Sequence, residues 1–212
     1  PDEMVDSQQD KQKALLELNK WTDDWKSVLD GKKDQSYDPI LFATKEIFDL
    51  YKIPLEYSHD FLVAMHQDLI KDRYASYQEL EQYMYGSASV IGMAMSHIIG
   101  FDEGALSHAK SLGEAFQLIN FLRDSKEDYI SRGRIYLPKE GMDRFGVTED
   151  HIKNNISDQA WRDLMAFEVG RAKTLLENGK RGITMLRGRG RKAVYASYLI
   201  YKELLQEMEK SA

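Results

Sequence analysis

Four side chains in one short stretch have the types and spacing for chemistry: Gln117, Asn120, Asp124 and Asp128. On a helix, steps of three, four and four residues put two amides and two carboxylates in one column. Burying such a column is costly unless something fills it. Hard oxygen donors one turn apart suit Mg²⁺ when phosphate oxygens complete its shell. A D-x-x-x-D pair alone is more often a solvated face. The two amides on the same stripe, and the basic segment 131–138 (SRGRIYLP) that follows, tip the balance toward a site. Asp2 and Asp6 form a second pair one helical turn apart, with Glu3 beside the first of them. Two acidic ridges facing each other would hold divalent cations and, through them, a diphosphate. Arg and Tyr donors around that anion would stabilise its departure. If the organic part is allylic, the cation left behind must be kept from water by apolar and aromatic walls.

The elements that position these residues are predicted to be helical. Apolar residues recur at helical spacing, and Gly and Pro are few, which predicts an all-α fold. The column falls on a helix over 105–128 that Phe116, Leu118, Ile119, Phe121 and Leu122 can bury. A first helix is expected over 2–29, ended by Gly31 as C-cap. Asp38-Pro39 opens another, which Ile53-Pro54 breaks. A third should run from Tyr57 or Ser58 to about Arg73, with Phe61, Met65, Leu69 and Ile70 facing inward. Further helices are expected over 77–99, 157–178 and 191–208, with a loop carrying Arg132, Arg134, Lys139 and Arg144 over 129–146. Gly86, Ser87, Ser89 and Gly92 are poor choices for helix stability, and together with the small Ala88 they let a neighbour approach the backbone closely, either another helix or a long hydrocarbon. The basic, Gly-rich 179–190 lacks P-loop order and is taken as a helix connection.

Composition removes several classes. With 30% charged and 42% apolar residues, the 212-residue chain is an ordinary globular protein, not a disordered one. A net charge of −6 gives no general footprint for nucleic acid. No apolar run is long enough to span a bilayer. The absence of Cys excludes a disulfide framework, and the five His show no zinc spacing. No signal peptide is visible, and a cytoplasmic location is expected.

Gln117-x-x-Asn120-x-x-x-Asp124-x-x-x-Asp128, followed by Arg132-Gly133-Arg134-x-Tyr136-Leu137-Pro138, closely resembles the squalene/phytoene synthase family. Tyr83-Met84-Tyr85-Gly86, with Ala88 and Gly92, resembles the small-residue helix of that family, which commonly has Gly where Ser89 stands here. The resemblance implies a single-domain, all-α bundle of the class I isoprenoid synthase type around a central apolar cavity. Residues 1–212 would form that domain without the family's N-terminal helix or helices, because the family's first aspartate motif lies well inside its chains. The sequence is therefore expected to be a piece of a longer protein.

By resemblance, Asp2, Asp6, Asn120, Asp124 and Asp128 would bind two or three Mg²⁺ ions and diphosphate. The catalytic set would be Asp2, Asp6, Asp124, Asp128 and Tyr83, with substrate bound by Gln117, Asn120, Arg123, Tyr201, Arg134 and Asp68. The activity implied is head-to-head joining of two prenyl diphosphates through a cyclopropyl intermediate. Farnesyl diphosphate giving dehydrosqualene (4,4′-diapophytoene) stands first, then geranylgeranyl diphosphate giving phytoene, then squalene synthesis, which needs a nicotinamide reductant. A non-catalytic scaffold member of the family and a terpene cyclase are the alternatives. An oily product makes loose peripheral contact with a membrane an expected accompaniment.

Overall fold

The computed structural model describes residues 11–32, 34 and 36–211. Ten α-helices make up most of these residues: α1 Lys11–Leu29, α2 Pro39–Tyr51, α3 Leu55–Ile70, α4 Tyr77–Met84, α5 Val90–Ile99, α6 Ala105–Glu127, α7 Lys139–Phe145, α8 Glu149–Asn154, α9 Gln159–Ile183 and α10 Gly190–Ser211. Wide π-helical turns at Tyr85–Ser89 and Asp128–Arg132 join α4 to α5 and extend α6. Among the described residues extended pairing is limited to two isolated bridges, Arg73 with Ile135 and Phe101 with Leu186.

Local chemistry sets the helix ends. Asp38 accepts from the Ile40 N–H at 3.0 Å ahead of Pro39, so an orphan donor is satisfied where the missing proline N–H costs nothing. Ser76 and Asp158 cap α4 and α9 through the amides of Glu79 and Trp161. Thr148 and His151 cap α8 reciprocally, with histidine in the place usually held by Glu or Gln.

The core lies between α6 and α9, which run antiparallel, and the α4–α5 rod. Leu118, Ile119 and Leu122 of α6 are buried with Leu164, Val169 and Leu176 of α9. The backbones approach closely: a Cβ on Gly113 would lie 2.6 Å from the Ala88 carbonyl oxygen, and one on Gly179 would lie 2.7 Å from the Leu112 Cβ. Within the described residues the predicted helices are present, the first of them over Lys11–Leu29, with three corrections; residues 2–10 of that first helix lie outside the described residues. The third helix stops at Ile70, because Lys71–Arg73 turn extended to meet Ile135. Ile70 is 77% exposed rather than inward. The predicted loop 129–146 contains one π turn and a short helix, α7, which Pro138 opens and Gly146 ends in the left-handed region at φ 73°.

Candidate active site

Helix α6 places Gln117 and Asn120 at the wall of a cavity of about 360 Å³. Its apolar walls come from Ile91 and Met95 on α5, Ala105 and Ala109 on α6, and Leu186 and Val194 beyond α9. Ser87, Ala88 and Gly92 also line it, so the small residues of the α4–α5 rod do make room there as well as close helix contacts. Phe116 and Tyr201 stack at 4.0 Å, and the Tyr201 hydroxyl donates to Asn120 Oδ1 at 3.2 Å. The polar end of the cavity thus consists of Gln117, Asn120 and the Tyr201 hydroxyl.

One turn further along α6, and beyond the cavity lining, Asp124 is engaged by the neighbouring Arg123 through Nε at 2.7 Å and Nη2 at 2.6 Å. Asp128, one turn later, is buried and accepts from Arg132 Nη1 at 2.9 Å. Burial pushes the Asp128 carboxyl up to about 6; Arg132 and Arg134 pull it down, and Asp124 pushes it further up. A half-desolvated carboxyl beside a second carboxylate is a donor pair whose repulsion a divalent cation would relieve. With the Asn120 amide one turn back, the set is all hard oxygen, which fits Mg²⁺ rather than a soft metal. Among the described residues no three His, Cys, Asp or Glu side chains form a metal cage. Asp2 and Asp6, the expected opposite ridge, lie outside the described residues.

The remaining predicted residues sit behind this face. Asp68 on α3 is buried, accepting from Arg134 Nη1 at 3.1 Å and from the Tyr136 hydroxyl at 2.9 Å. Burial works against the Arg134 charge, but Tyr136 and Asp68 outweigh it and hold the guanidinium protonated. Tyr83 is buried against Tyr74, Phe121 and Tyr136, with ring centroids 5.4, 6.2 and 5.7 Å away. It is not among the residues lining the cavity. Burial first, then its Tyr136 and Asp68 neighbours, drive its hydroxyl well above the ordinary tyrosine value, so it stays protonated.

The structure therefore brings Gln117, Asn120 and Tyr201 together at the cavity, and Asp124, Asp128 and Arg123 beside it. Asp68, Arg134 and Tyr83 form a buried layer underneath. Three participants were named in the sequence but given no place in the site's residue set: Phe116, Tyr136 and Arg132. Tyr136 and Arg132 stood in the quoted motif, but nothing there told which residue would turn inward. Gly179 and Gly182, assigned to a helix connection, are part of the α9 wall of the cavity. Their one-turn spacing was the available signal.

A helical bundle with an apolar cavity, an amide-lined end and an adjacent acid–arginine face defines an isoprenoid-synthase-type protein. The Squalene/phytoene synthase family model matches residues 1–212, and the chain belongs to that family. It is 34% identical to the 15-cis-phytoene synthase of Synechocystis sp. over 221 residues, covering 98% of this chain and 64% of that protein. It is 30% identical to the 15-cis-phytoene synthase of Synechococcus elongatus, covering 99% of this chain and 71% of that protein. Against phytoene synthase 1 of Zea mays it spans 52% of the relative's length. A crystal structure of a dehydrosqualene synthase in complex with ligand superposes with TM-score 0.85 at 28% identity, covering 97% of this chain and 72% of that one. The squalene synthase HpnC from Alicyclobacillus acidocaldarius shares the fold, with TM-score 0.86 at 23% identity, 99% of this chain and 78% of that one. No described helix is long and apolar enough to cross a membrane.

Proposed function

We propose that the protein condenses two allylic prenyl diphosphates head to head, dependent on Mg²⁺, with geranylgeranyl diphosphate as substrate and phytoene as product. The observation that carries this reading is the junction of two environments on α6. Asn120, Gln117 and Tyr201 close one end of an apolar cavity, and the Asp124/Asp128 face with its arginines begins one turn away. Sequence alone put farnesyl diphosphate first. Relatives named phytoene synthases at 30–34% identity support the longer substrate, while the likeness to a dehydrosqualene synthase keeps the C15 reaction as the second reading.

Asp124, Asp128 and Asn120 would hold Mg²⁺, with Asp2 and Asp6 supplying the facing donors. The metal would supply charge stabilisation for the departing diphosphate. The chain's own groups do the rest. Arg132 and Arg134, fixed by Asp128 and Asp68, keep positive charge at the rear of the acidic face. Tyr201 orients the Asn120 amide. Phe116 and Tyr201, stacked at the cavity end, offer aromatic surface to a carbocation there, and the apolar walls take the hydrocarbon. Two diphosphates and two protons leave for each hydrocarbon formed, so phytoene or dehydrosqualene needs no reductant and squalene would.

Incubating the protein with labelled geranylgeranyl or farnesyl diphosphate and Mg²⁺, then identifying the hydrocarbon, tests the reading. The expected product is a C40 hydrocarbon that vanishes in Asp124→Ala. A cyclic product from a single prenyl diphosphate, or full activity in Asp124→Ala, would contradict it.

A further inference from the structure

We infer that the cavity is a depth gauge for the prenyl chain, and that Ala109 is the residue whose small size admits the fourth isoprene unit. The inference rests on the prenyl diphosphate reading above and adds to it a residue that decides chain length.

The cavity runs along α6 from Asn120 to Ala105. At 1.5 Å of rise per residue that is about 22 Å. The other walls keep the same order: on α10, Tyr201 stands at the Asn120 end and Val194 lies toward the far end. The far end is closed by two connections stitched together. The Asp102 N–H donates to the Met185 carbonyl at 2.9 Å, and the Arg187 N–H to the Gly100 carbonyl at 2.8 Å. Phe101 pairs with Leu186 between them, and Arg187 clamps Asp102 at 2.6 Å. A floor held by backbone hydrogen bonds does not yield to one more isoprene unit as a lone side chain would.

An extended chain gains about 1.2 Å per bond. With its C1–O bond at Asn120, a farnesyl chain would reach about 14 Å and a geranylgeranyl chain about 19 Å down the cavity. The level of Ala109 lies about 16 Å from Asn120. A C15 chain therefore ends above Ala109 and a C20 chain passes it, stopping short of the floor at Ala105. Ala109 lines the cavity at that level, and helix α5 packs directly on the same turn of α6: a Cβ on Gly92 would come within 2.7 Å of the Ala109 carbonyl oxygen. With α6 fixed against α5 there, a larger side chain at 109 has to project into the passage, where the Ala109 methyl takes little room.

The test is Ala109→Phe in the full chain, with Ala109→Leu as a smaller plug should the first variant fail to fold by circular dichroism. Non-reactive farnesyl and geranylgeranyl thiodiphosphates are titrated by calorimetry with Mg²⁺ present, and the products from each true diphosphate are identified. The expected result is at least a tenfold loss of affinity and turnover for the C20 ligand, with the C15 ligand changed less than threefold. The product should shift from C40 to C30. Parallel loss for both lengths, or undiminished C20 use, in a folded variant overturns the inference. Wild-type protein that binds and converts neither diphosphate overturns the underlying reading instead, so the two failures are told apart.

Discussion

Removing the Asp68 carboxylate isolates the buried layer beneath the acidic face. Asp68 and Arg134 have side chains only 7% and 5% exposed and meet at 3.1 Å, and Tyr136 adds a hydrogen bond to the same carboxylate at 2.9 Å. Taking away one member of a buried pair leaves the other charge uncompensated and costs about 3–5 kcal/mol. For a chain of this size, each kcal/mol lowers the melting temperature by about 2–4 °C. Asp68→Ala should therefore melt about 6–20 °C below wild type, and Asp68→Asn, which keeps an acceptor for Tyr136, should lose less. The double variant Asp68→Leu/Arg134→Met should recover most of the stability, because two apolar groups can replace a buried pair at little net cost. It should not recover turnover, since the guanidinium behind the acidic face is gone. Calorimetric melting and steady-state rates on the same four proteins decide the matter. A loss below about 1 kcal/mol in Asp68→Ala, or a double variant no more stable than Asp68→Ala, would contradict this reading.

Other outcomes follow from packing and titration. Gly113→Ala drives a methyl to 2.6 Å from the Ala88 carbonyl oxygen, which is backbone and cannot rotate away; a loss of about 1–3 kcal/mol in urea denaturation is expected. Gly170→Ala, in the interior of α9 with open space around it, should instead gain about 0.5–1 kcal/mol. Glu168 is buried, and burial raises its carboxyl above the ordinary 4.5 while Arg171 opposes the shift and Glu140 adds to it. The folded state then holds a proton that the unfolded chain has released, so stability falls as pH rises from about 4.5 until the folded group has ionised. Glu168→Gln should flatten that slope in urea midpoints measured from pH 4.5 to 8; an unchanged slope would show that Glu168 is not its source.

The sequence revealed elements whose logic is local. The column Gln117, Asn120, Asp124, Asp128 followed from helical periodicity alone, and the caps at Asp38 and Gly31 from backbone chemistry. What escaped depends on residues far apart in sequence. Asp68 and Arg134 stand 66 positions apart, and only the packed fold shows that the carboxylate serves the arginine and Tyr136. Ile70 fits an apolar helix face by spacing, yet the chain leaves the helix there to meet Ile135, and the side chain points out. The two π turns were invisible because widening a turn by one residue reflects tertiary packing, not propensity. Tyr83 entered the catalytic set by family pattern, and only the fold shows its ring packed with Tyr74, Phe121 and Tyr136.

The most direct measurement is a crystal structure of the protein with Mg²⁺ and geranylgeranyl thiodiphosphate. The expected result is metal on Asp124 and Asp128, diphosphate against it near Asn120, and the prenyl chain running down the cavity past Ala109. Diphosphate bound away from that face, or the chain lying in the groove between α1 and α3 that His66 and Val63 line, would contradict it.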